Sequence, residues 1–343
     1  MSQPEAKPGL NRILKIGLPL LISVLAIWLV LRQLDFQSLI DAFKQLSIAS
    51  IGLIIIFFSA GLFLRSLVCW MILGGKISFL DTFWGMNLGY LLNTIIPLRL
   101  GEFGRGAFLT ERSEGNVGYM EAMASIVAER LLDLLVGFSF LIVSLLLFIQ
   151  SDALRRIAWV GMLVLLLSLA FIFYASQNRS KVVEWLQVRF KRSGFLHDRA
   201  LPAFDQLLSG FQFFVKPKRF VLVFVLLAVS WSFSMLEYLV LQQTILPQSQ
   251  WWWPMLVIPA SAFVNALPAA PGGLGVYEAG AVGSYALVGI DKAPALAMAL
   301  VVHSVQIIIP AILGVIALVI SGQSLEALLG KASQFRQKKE KLP

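Results

Sequence analysis

Long apolar stretches dominate the chain, and polar residues fall between them rather than alternating with them. A continuous apolar run of about 20 residues can cross the bilayer core, about 30 Å thick, as an α-helix. The strands of a membrane β-barrel would be shorter and polar at every second position. The pattern therefore predicts an all-α, polytopic membrane protein with about six full spans, at residues 13–31, 48–73, 131–149, 157–175, 220–241 and 294–320.

Two further apolar regions are broken by proline and glycine. Region 79–112 is interrupted at "PLRLGEFG", and region 252–290 at "LPAAPGGLG". Each half is too short for a comfortable span, and non-helical backbone at membrane depth is tolerated only inside protein or beside water. We therefore predict two re-entrant helical hairpins whose breaks line a cavity. Two ordinary kinked spans are the alternative.

Lysine and arginine set the predicted orientation. Segment 176–219 and the tail 323–343 are rich in both, and the positive-inside rule places such segments, together with the basic N-terminus, in the cytoplasm. If the chain starts in the cytoplasm and crosses the membrane once at each of the six spans, neither broken region can itself be a single crossing. Region 79–112 must then begin and end on the cytoplasmic side, and region 252–290 on the outer side.

The order of elements repeats along the chain. Helix, helix, hairpin and helix occur within residues 1–150 and again within 151–322, in the opposite orientation, before the basic tail 323–343. Interrupted segments at matching positions of two halves are typical of inverted-topology repeats in transporters. The two breaks also share an order of residue types: Asn93, Pro97 and Gly101 in the first, Asn265, Pro268 and Gly272 in the second.

Composition narrows the chemistry. The 343 residues are 58% hydrophobic and 14% charged, with a mean hydropathy of +0.81, which is too apolar for a soluble protein of this length. The single Cys69 excludes an internal disulfide, and with His197 and His303 as the only histidines we expect no zinc or haem site and no cofactor. We find no nucleophile-base set and no nucleotide-binding motif, so an enzyme is not expected.

The net charge of +9 comes from basic residues beside the apolar spans, which favours anionic lipid headgroups over nucleic acid as partners.

The N-terminal apolar run is longer than a signal-peptide core and predicts an uncleaved first span. Within 180–217, apolar residues at helical spacing after Pro202 predict a helix, either on the cytoplasmic leaflet or packed on the bundle. Residues 35–46 predict a shorter interfacial helix.

Charged residues inside the membrane are the strongest functional signal. Each one at the centre of a span costs about 2.5–3.5 kcal/mol on insertion scales, and they cluster around the first break. Arginine suits phosphate oxygens, so the arginines are predicted to bind an anionic group while the acids hold them in place. An ion-pair knot that fastens the hairpin to helix 118–149 is the alternative, and both roles can hold together. The residues concerned are Arg99, Glu102, Arg105, Glu129, Arg130 and Asp133; Arg65 and Glu237 are further in-membrane charges.

The second break carries little charge but many glycines. Gly272, Gly273 and Gly275 permit close backbone approach, and a half-helix beginning near Leu274 would direct its positive N-terminal end at the cavity. Glu278 would then lie about one turn inside. A packing turn is the alternative. Glu237, His303 and Gln306 could line the same cavity, although an interhelical hydrogen bond is the expected role of a lone membrane histidine. Asn93 and Asn265 complete the predicted substrate-binding set.

Three motifs in order, "NTIIPLRLGEFGRGAFL", "ASIVAERLLDLL" and "PAAPGGLGVYE", resemble the flippase-like membrane domain of lysylphosphatidylglycerol synthases. The resemblance implies a protein that moves a lipid with a charged headgroup between leaflets. We expect no soluble aminoacyl-transferase domain, and hence no synthesis of lysyl-phosphatidylglycerol. The motif residues it carries over are Arg99, Glu102 and Arg105; Glu129, Arg130 and Asp133; and Pro271, Gly272, Gly273, Gly275 and Glu278.

These observations leave three candidate functions. The first is a flippase for an anionic phospholipid or polyprenyl-phosphate-linked lipid in the bacterial cytoplasmic (inner) membrane. The second is an intramembrane lipid-modifying enzyme that uses Glu102, Glu129 or Asp133 as acid or base. The third is a membrane partner of a glycosyltransferase or lipid synthase, recruited through residues 180–217.

Overall fold

Every regular element that the structure describes is helical, as the apolar pattern predicts. The computed structural model describes residues 10–32, 34–96, 101–189, 201, 205, 217–266 and 270–322. The helices are α1 (Leu10–Leu31), α2 (Phe36–Lys44), α3 (Ile48–Ile72), α4 (Phe79–Ile95), α5 (Gly101–Arg112), α6 (Tyr119–Phe148), α7 (Asp152–Gln177), α8 (Arg179–Arg189), α9 (Pro217–Ile245), α10 (Trp253–Asn265), α11 (Val276–Ala286) and α12 (Lys292–Ser321), with a 3₁₀ turn at Pro271–Gly273.

Five of these helices, α3, α6, α7, α9 and α12, are long and apolar enough to cross a bilayer. A sixth crossing arises if α1 is counted together with α2, from which it is bent by 88°. The prediction of a polytopic all-α membrane protein is therefore confirmed. The predicted spans match these helices and α1, with residues 73 and 149 falling one position beyond the ends of α3 and α6. Helix α6 begins well before the predicted residue 131 because its charged first half remains helical.

The first broken region is an antiparallel helical hairpin, which we call hairpin one (α4 and α5). Asp81 at the start of α4 accepts a hydrogen bond from Arg112 Nε at the end of α5, at 2.6 Å. The arms have 17 and 12 residues, or about 25 and 18 Å at 1.5 Å per residue, less than the hydrocarbon core. The chain therefore enters and leaves at the same end of the bundle.

The second broken region forms hairpin two (α10 and α11) in the same way. The ring of Trp253, at the start of α10, packs edge-on against Tyr285, near the end of α11, with centroids 6.4 Å apart. Its arms have 13 and 11 residues, or about 20 and 17 Å, again too short to span. The prediction of a hairpin rather than a kinked span is met here too.

The two hairpins enter from opposite ends of the bundle. Near one end of α6, Glu121 pairs at 2.6 Å with Lys76, in the loop just before hairpin one. At the other end, the Phe148 ring stacks on Trp252, at the start of hairpin two, with centroids 4.8 Å apart. Glu121 and Phe148 are 27 residues apart on α6, which separates these contacts by about 40 Å. The opposite entry required by the count of crossings is thus present, while the cytoplasmic side stays a prediction.

The tips of the hairpins meet inside the bundle. The 3₁₀ turn at the tip of hairpin two packs against α4, and a Cβ on Gly272 would lie 3.9 Å from Thr94 Cγ2 near the tip of hairpin one. Since the arms reach about halfway along α6, this contact lies near the middle of the membrane. The candidate site is built around it.

The two halves interlock through equivalent helices. Helix α3 packs on α9, the second helix of the other half, with Ser230 Oγ donating to Gly61 O at 3.1 Å. The last helix of each half packs on the first arm of the opposite hairpin, α12 on α4 and α6 on α10. A Cβ on Gly314 would meet Leu91 and Asn87 O, so α12 lies very close to α4.

Hairpin one depends on a glycine at the start of its second arm. A Cβ on Gly101 would overlap Gly89 O and lie 2.6 Å from Asn93 Oδ1, and backbone cannot move aside as a flexible side chain can. We expect Gly101→Ala to destabilise the protein by about 1–3 kcal/mol through overpacking, measured as a lower unfolding midpoint in detergent. Gly283→Ala is the matched control, because nothing lies within 4 Å of its Cβ. Equal midpoints for the two variants would contradict this packing.

The short helix predicted at 35–46 is present as α2, and the side chain of Asp35 accepts from the backbone N–H groups of Gln37 and Ser38, a typical N-cap. The helix predicted after Pro202 lies mostly outside the described residues. At its edge Asp205 receives two hydrogen bonds from Arg179, at 2.6 and 2.8 Å. The basic tail 323–343 lies outside them altogether.

Candidate functional site

The structure brings the predicted charges at the first break into one group, which we call the hairpin-one cluster. Its members lie on three helices: Arg65 on α3, Glu102 and Arg105 on α5, and Glu129, Arg130 and Asp133 on α6. Three arginines face three carboxylates, so their formal charges cancel. Arg99 belongs to the predicted set but lies outside the described residues, as do Pro97 and Pro268.

The centre of the cluster is a buried ion pair. Arg105 and Glu129 are only 1% and 2% exposed, and Arg105 Nη2 donates to Glu129 Oε2 at 2.5 Å. The same nitrogen lies 2.7 Å from Cys69 Sγ, while Nε of Arg105 has no hydrogen-bond partner among the described residues. This pair fastens hairpin one to α6, which is the fastening role that the sequence left open.

The second pair lies at the edge of the cluster. Glu102 Oε1 accepts from Arg130 Nη2 at 2.7 Å and from Arg130 Nε at 3.1 Å. The side chains of Arg130 and Glu102 are 31% and 19% exposed, and the guanidinium lies over the ring of Tyr90 at 5.8 Å. Arg105 Nη1 is 4.0 Å from Glu102. Glu102 thus lies between two arginines, one of them partly open to the surroundings.

This open pair lies at membrane depth on an apolar surface. Arg130 is eleven residues into α6, or about 17 Å from its start, close to the middle of the helix. The exposed side chains nearby in sequence are apolar: Ile95, Phe103, Val127 and Leu134. A charged pair is costly where it faces hydrocarbon, so this edge suits a polar group arriving from the bilayer or from water.

The third pair joins the cluster to the other half. Arg65 Nη1 donates to Asp133 Oδ1 at 2.7 Å, and Trp231 Nε1 on α9 donates to the same oxygen at 2.9 Å. The Arg65 guanidinium also lies over the Trp231 ring at 5.7 Å. Trp231 is a partner that sequence reasoning missed, because one tryptophan in an apolar helix carries no signal of its contact.

On the other side of the meeting point, a carboxylate caps α11. Glu278 Oε2 accepts from the Gly275 N–H at 2.6 Å, and its second oxygen lies 2.6 Å from His303 Nδ1. His303 Nε2 is 2.9 Å from Gly272 O, and its ring stacks on Tyr277 with centroids 4.3 Å apart. Glu278 therefore already satisfies part of the helix N-terminus predicted to face an anion, and His303 links helices as expected.

The two asparagines shape the breaks. Asn93 Oδ1 accepts from the Gly101 N–H at 2.8 Å, across the gap in hairpin one. Asn265 lies against Gly273 so closely that a Cβ there would overlap its side-chain oxygen. Both glycines follow their asparagine by eight residues, so the counterpart of Gly101 is Gly273 rather than Gly272. Gly273 and Gly275 have φ of +72° and +83°, a region that favours glycine.

A cleft of about 440 Å³ lies beside α1, lined by Val24, Ile27, Trp28, Leu31 and Arg32. No residue of the hairpin-one cluster lines it, and most of its lining is apolar. A hydrocarbon chain would fit this cleft better than a charged headgroup. Its neighbour is hairpin two, since a Cβ on Gly275 would meet Ile27.

Most of the chain matches a known protein family. The family described as "Lysylphosphatidylglycerol synthase TM region" matches residues 16–314. The matched range includes both hairpins and every member of the hairpin-one cluster. No curated protein matches the chain.

Proposed function

Because the chain belongs to the lysylphosphatidylglycerol synthase TM-region family, we propose that it is a flippase for an anionic phospholipid or polyprenyl-phosphate-linked lipid. Membership of the family points to a function connected with membrane lipids. The finer statement depends on one observation: the Glu102–Arg130 pair is partly exposed at mid-membrane depth on an apolar surface.

The charge balance of the site supports an anionic headgroup. The six members of the hairpin-one cluster sum to zero, and Arg99, three residues before Glu102, adds one positive charge. A phosphodiester carries one negative charge, so its arrival would leave the region neutral. Arg130 directs only Nε and Nη2 at Glu102, and a guanidinium has further N–H donors that suit phosphate oxygens.

The path we propose runs between the hairpin tips. The headgroup passes the Arg130 edge while the hydrocarbon chains stay in the bilayer. Alternating access would come from one half rocking against the other, as in transporters built from inverted repeats. The equivalent packing of α12 on α4 and α6 on α10, and the same eight-residue spacing in both breaks, support two such repeats, residues 1–150 and 151–322.

Transport, rather than lipid chemistry, is the better proposal for this site. The carboxylates considered as acid or base, Glu102, Glu129 and Asp133, are each held by an arginine. A carboxylate whose oxygens are held by an arginine is not placed to bond the reacting group of a lipid, as a general acid or base must. We propose no cofactor, a location in the bacterial cytoplasmic membrane with both termini cytoplasmic, and a glycosyltransferase or lipid synthase as protein partner.

The test is headgroup movement in vesicles that hold the purified protein. Fluorescent phosphatidylglycerol, a fluorescent polyprenyl phosphate and fluorescent phosphatidylcholine would be compared, with a membrane-impermeant quencher reporting the inner leaflet. We expect faster movement of the anionic lipids than in empty vesicles, and little change for phosphatidylcholine. Rates equal to empty vesicles for every anionic lipid would overturn the proposal, and a change in lipid mass would favour an enzyme.

A further inference from the structure

One acidic residue in the membrane region stands apart from both charged groups described above. Glu237 lies on α9, eight residues before its end at Ile245, or about 12 Å along the helix axis. Its exposure is 0%, and neither carboxyl oxygen has a hydrogen-bond partner among the residues that the structure describes. Gln306 of α12 lies beside the carboxyl group but without the geometry of a hydrogen bond.

Such a group is stable only when it is neutral. An ionised carboxylate that is buried without a hydrogen-bond partner loses its hydration. The attraction of Arg65, which is already paired with Asp133, is too small to replace it, so the group takes up a proton instead. Glu237 therefore carries a proton in this conformation. Within membrane proteins, acidic residues in the spanning helices mark substrate and ion pathways and proton relays.

Titratable and charged groups approach Glu237 from most of the packed helices. Arg65 on α3 and Tyr277 on α11 lie near enough to interact with it electrostatically, and Tyr238 is its neighbour on α9. Helix α10 has no titratable side chain. Among the described residues, the titratable groups next to these three are Asp133 of α6, which pairs with Arg65, Tyr285 of α11, whose ring lies 6.2 Å from that of Tyr238, and Glu278 of α11 and His303 of α12, which adjoin Tyr277.

The position of Glu237 is between the two polar groups at the hairpin tips. On one side is the Arg65–Asp133 pair of the hairpin-one cluster. On the other side Tyr238 donates to Tyr277 at 3.1 Å, and Tyr277 stacks on His303, which contacts Glu278. A change of charge at Glu237 would therefore act on both hairpins at once.

We propose that Glu237 is a proton-binding site whose loading is coupled to lipid movement, an inference that rests on the proposed flippase function. Loss of the proton to water breaks one O–H bond and leaves a carboxylate. That carboxylate attracts Arg65 and so competes with Asp133 for it. Of the two described donors to Asp133, Arg65 and Trp231, only Trp231 then remains. The α3–α6 contact is thereby weakened while the contact of α3 with α9 is strengthened, and reloading the proton reverses the change.

The first experiment detects the proton directly. The full chain would be placed in lipid nanodiscs, and its infrared spectrum recorded for wild type and for Glu237→Gln, Glu237→Asp and Glu121→Gln. We expect a protonated-carboxyl band in wild type that disappears in Glu237→Gln and shifts in Glu237→Asp. Glu121→Gln is the matched control, because Glu121 forms an exposed pair with Lys76, and it should leave the band unchanged.

The second experiment measures coupling. In proteoliposomes with an imposed pH difference, one proton moved per lipid changes the equilibrium ratio of labelled phosphatidylglycerol between leaflets by up to about tenfold per pH unit. Glu237→Gln should abolish that dependence, and Glu237→Asp should retain part of it. Glutamine matches the shape of the neutral acid, so Glu237→Gln should stay folded. If it does not fold, Glu237→Asp tests the same proposal through its shifted infrared band and its partly retained response to the pH difference.

The outcomes separate the two proposals. A band that is lost with Glu237, together with a gradient-dependent lipid ratio, supports both. The same band with a ratio that ignores the pH difference overturns coupling. A band without movement of any anionic lipid supports the proton site and overturns the flippase proposal. A wild-type spectrum that Glu237→Gln leaves unchanged overturns the proton site, whatever the lipid measurements show.

Discussion

Glu129→Ala is expected to lower the free energy of unfolding by about 3–5 kcal/mol, the usual cost of leaving a buried charge without its partner. Arg105 would keep its charge in a position that is 1% exposed, with Glu102 at 4.0 Å as its remaining carboxylate. The measurement is reversible unfolding in mixed micelles. The matched control is Glu121→Ala, which breaks an exposed pair near the start of the same helix and should cost less than about 1 kcal/mol.

A double variant separates fastening from function in this pair. Arg105→Met combined with Glu129→Leu replaces both charges by apolar side chains and should recover most of the lost stability. A stable double variant that still moves anionic lipid would restrict the pair to fastening hairpin one. A Glu129→Ala variant as stable as Glu121→Ala would contradict a stabilising role for the buried Arg105–Glu129 pair. Removing Arg105 alone should likewise impair folding, because Glu129 would then be the buried charge without a partner.

Arg130→Gln is expected to slow movement of anionic lipid by about 10- to 100-fold, because hydrogen bonds to a charged group are worth about 1.5–3 kcal/mol. Arg130 lies at the open edge of the cluster, so its side chain can meet a headgroup directly. Stability should change less than in Glu129→Ala, since Glu102 keeps Arg105 at 4.0 Å. The measurement is the vesicle assay with labelled phosphatidylglycerol.

Arg112→Gln is the matched control for that variant. It makes the same chemical change on a partly exposed arginine that pairs with Asp81 at the open end of the same hairpin, far from the tip. Its transport rate should stay close to wild type. Arg130→Lys should give an intermediate rate, because lysine keeps the charge but not the planar fork. Equal losses at Arg112 and Arg130 would show a general effect of charge and would contradict a site at the edge.

The hairpins illustrate how far the sequence could be followed. Proline and glycine placed the breaks, and the count of crossings placed both ends of each hairpin on one side. The half-helix predicted to begin near Leu274 begins at Val276, and Glu278 lies in its first turn, as expected. The sequence comparison matched Gly101 with Gly272, one residue before its structural counterpart Gly273. Glycine spacing alone does not reveal which glycine each asparagine contacts.

Only part of the candidate site could be predicted from the sequence. Glu102 and Arg105 lie on one helical face, which suggested a pair, yet Arg105 bonds Glu129 at 2.5 Å and leaves Glu102 to Arg130. The sequence carried no signal of the contacts of Cys69 and Trp231, or of the lack of a hydrogen-bond partner for Glu237 within the described part of the chain. Each depends on contacts between helices far apart along the chain.

The sequence by itself determined an all-helical membrane architecture with two interrupted hairpins. It could do so because hydrocarbon leaves the backbone no alternative to internal hydrogen bonds, and because bilayer thickness fixes helix length. Only the tertiary structure decided which charges are paired, which edge is open and which acid is left alone. Those outcomes follow from distances of a few ångströms between separate helices, and helix length and local composition do not contain them.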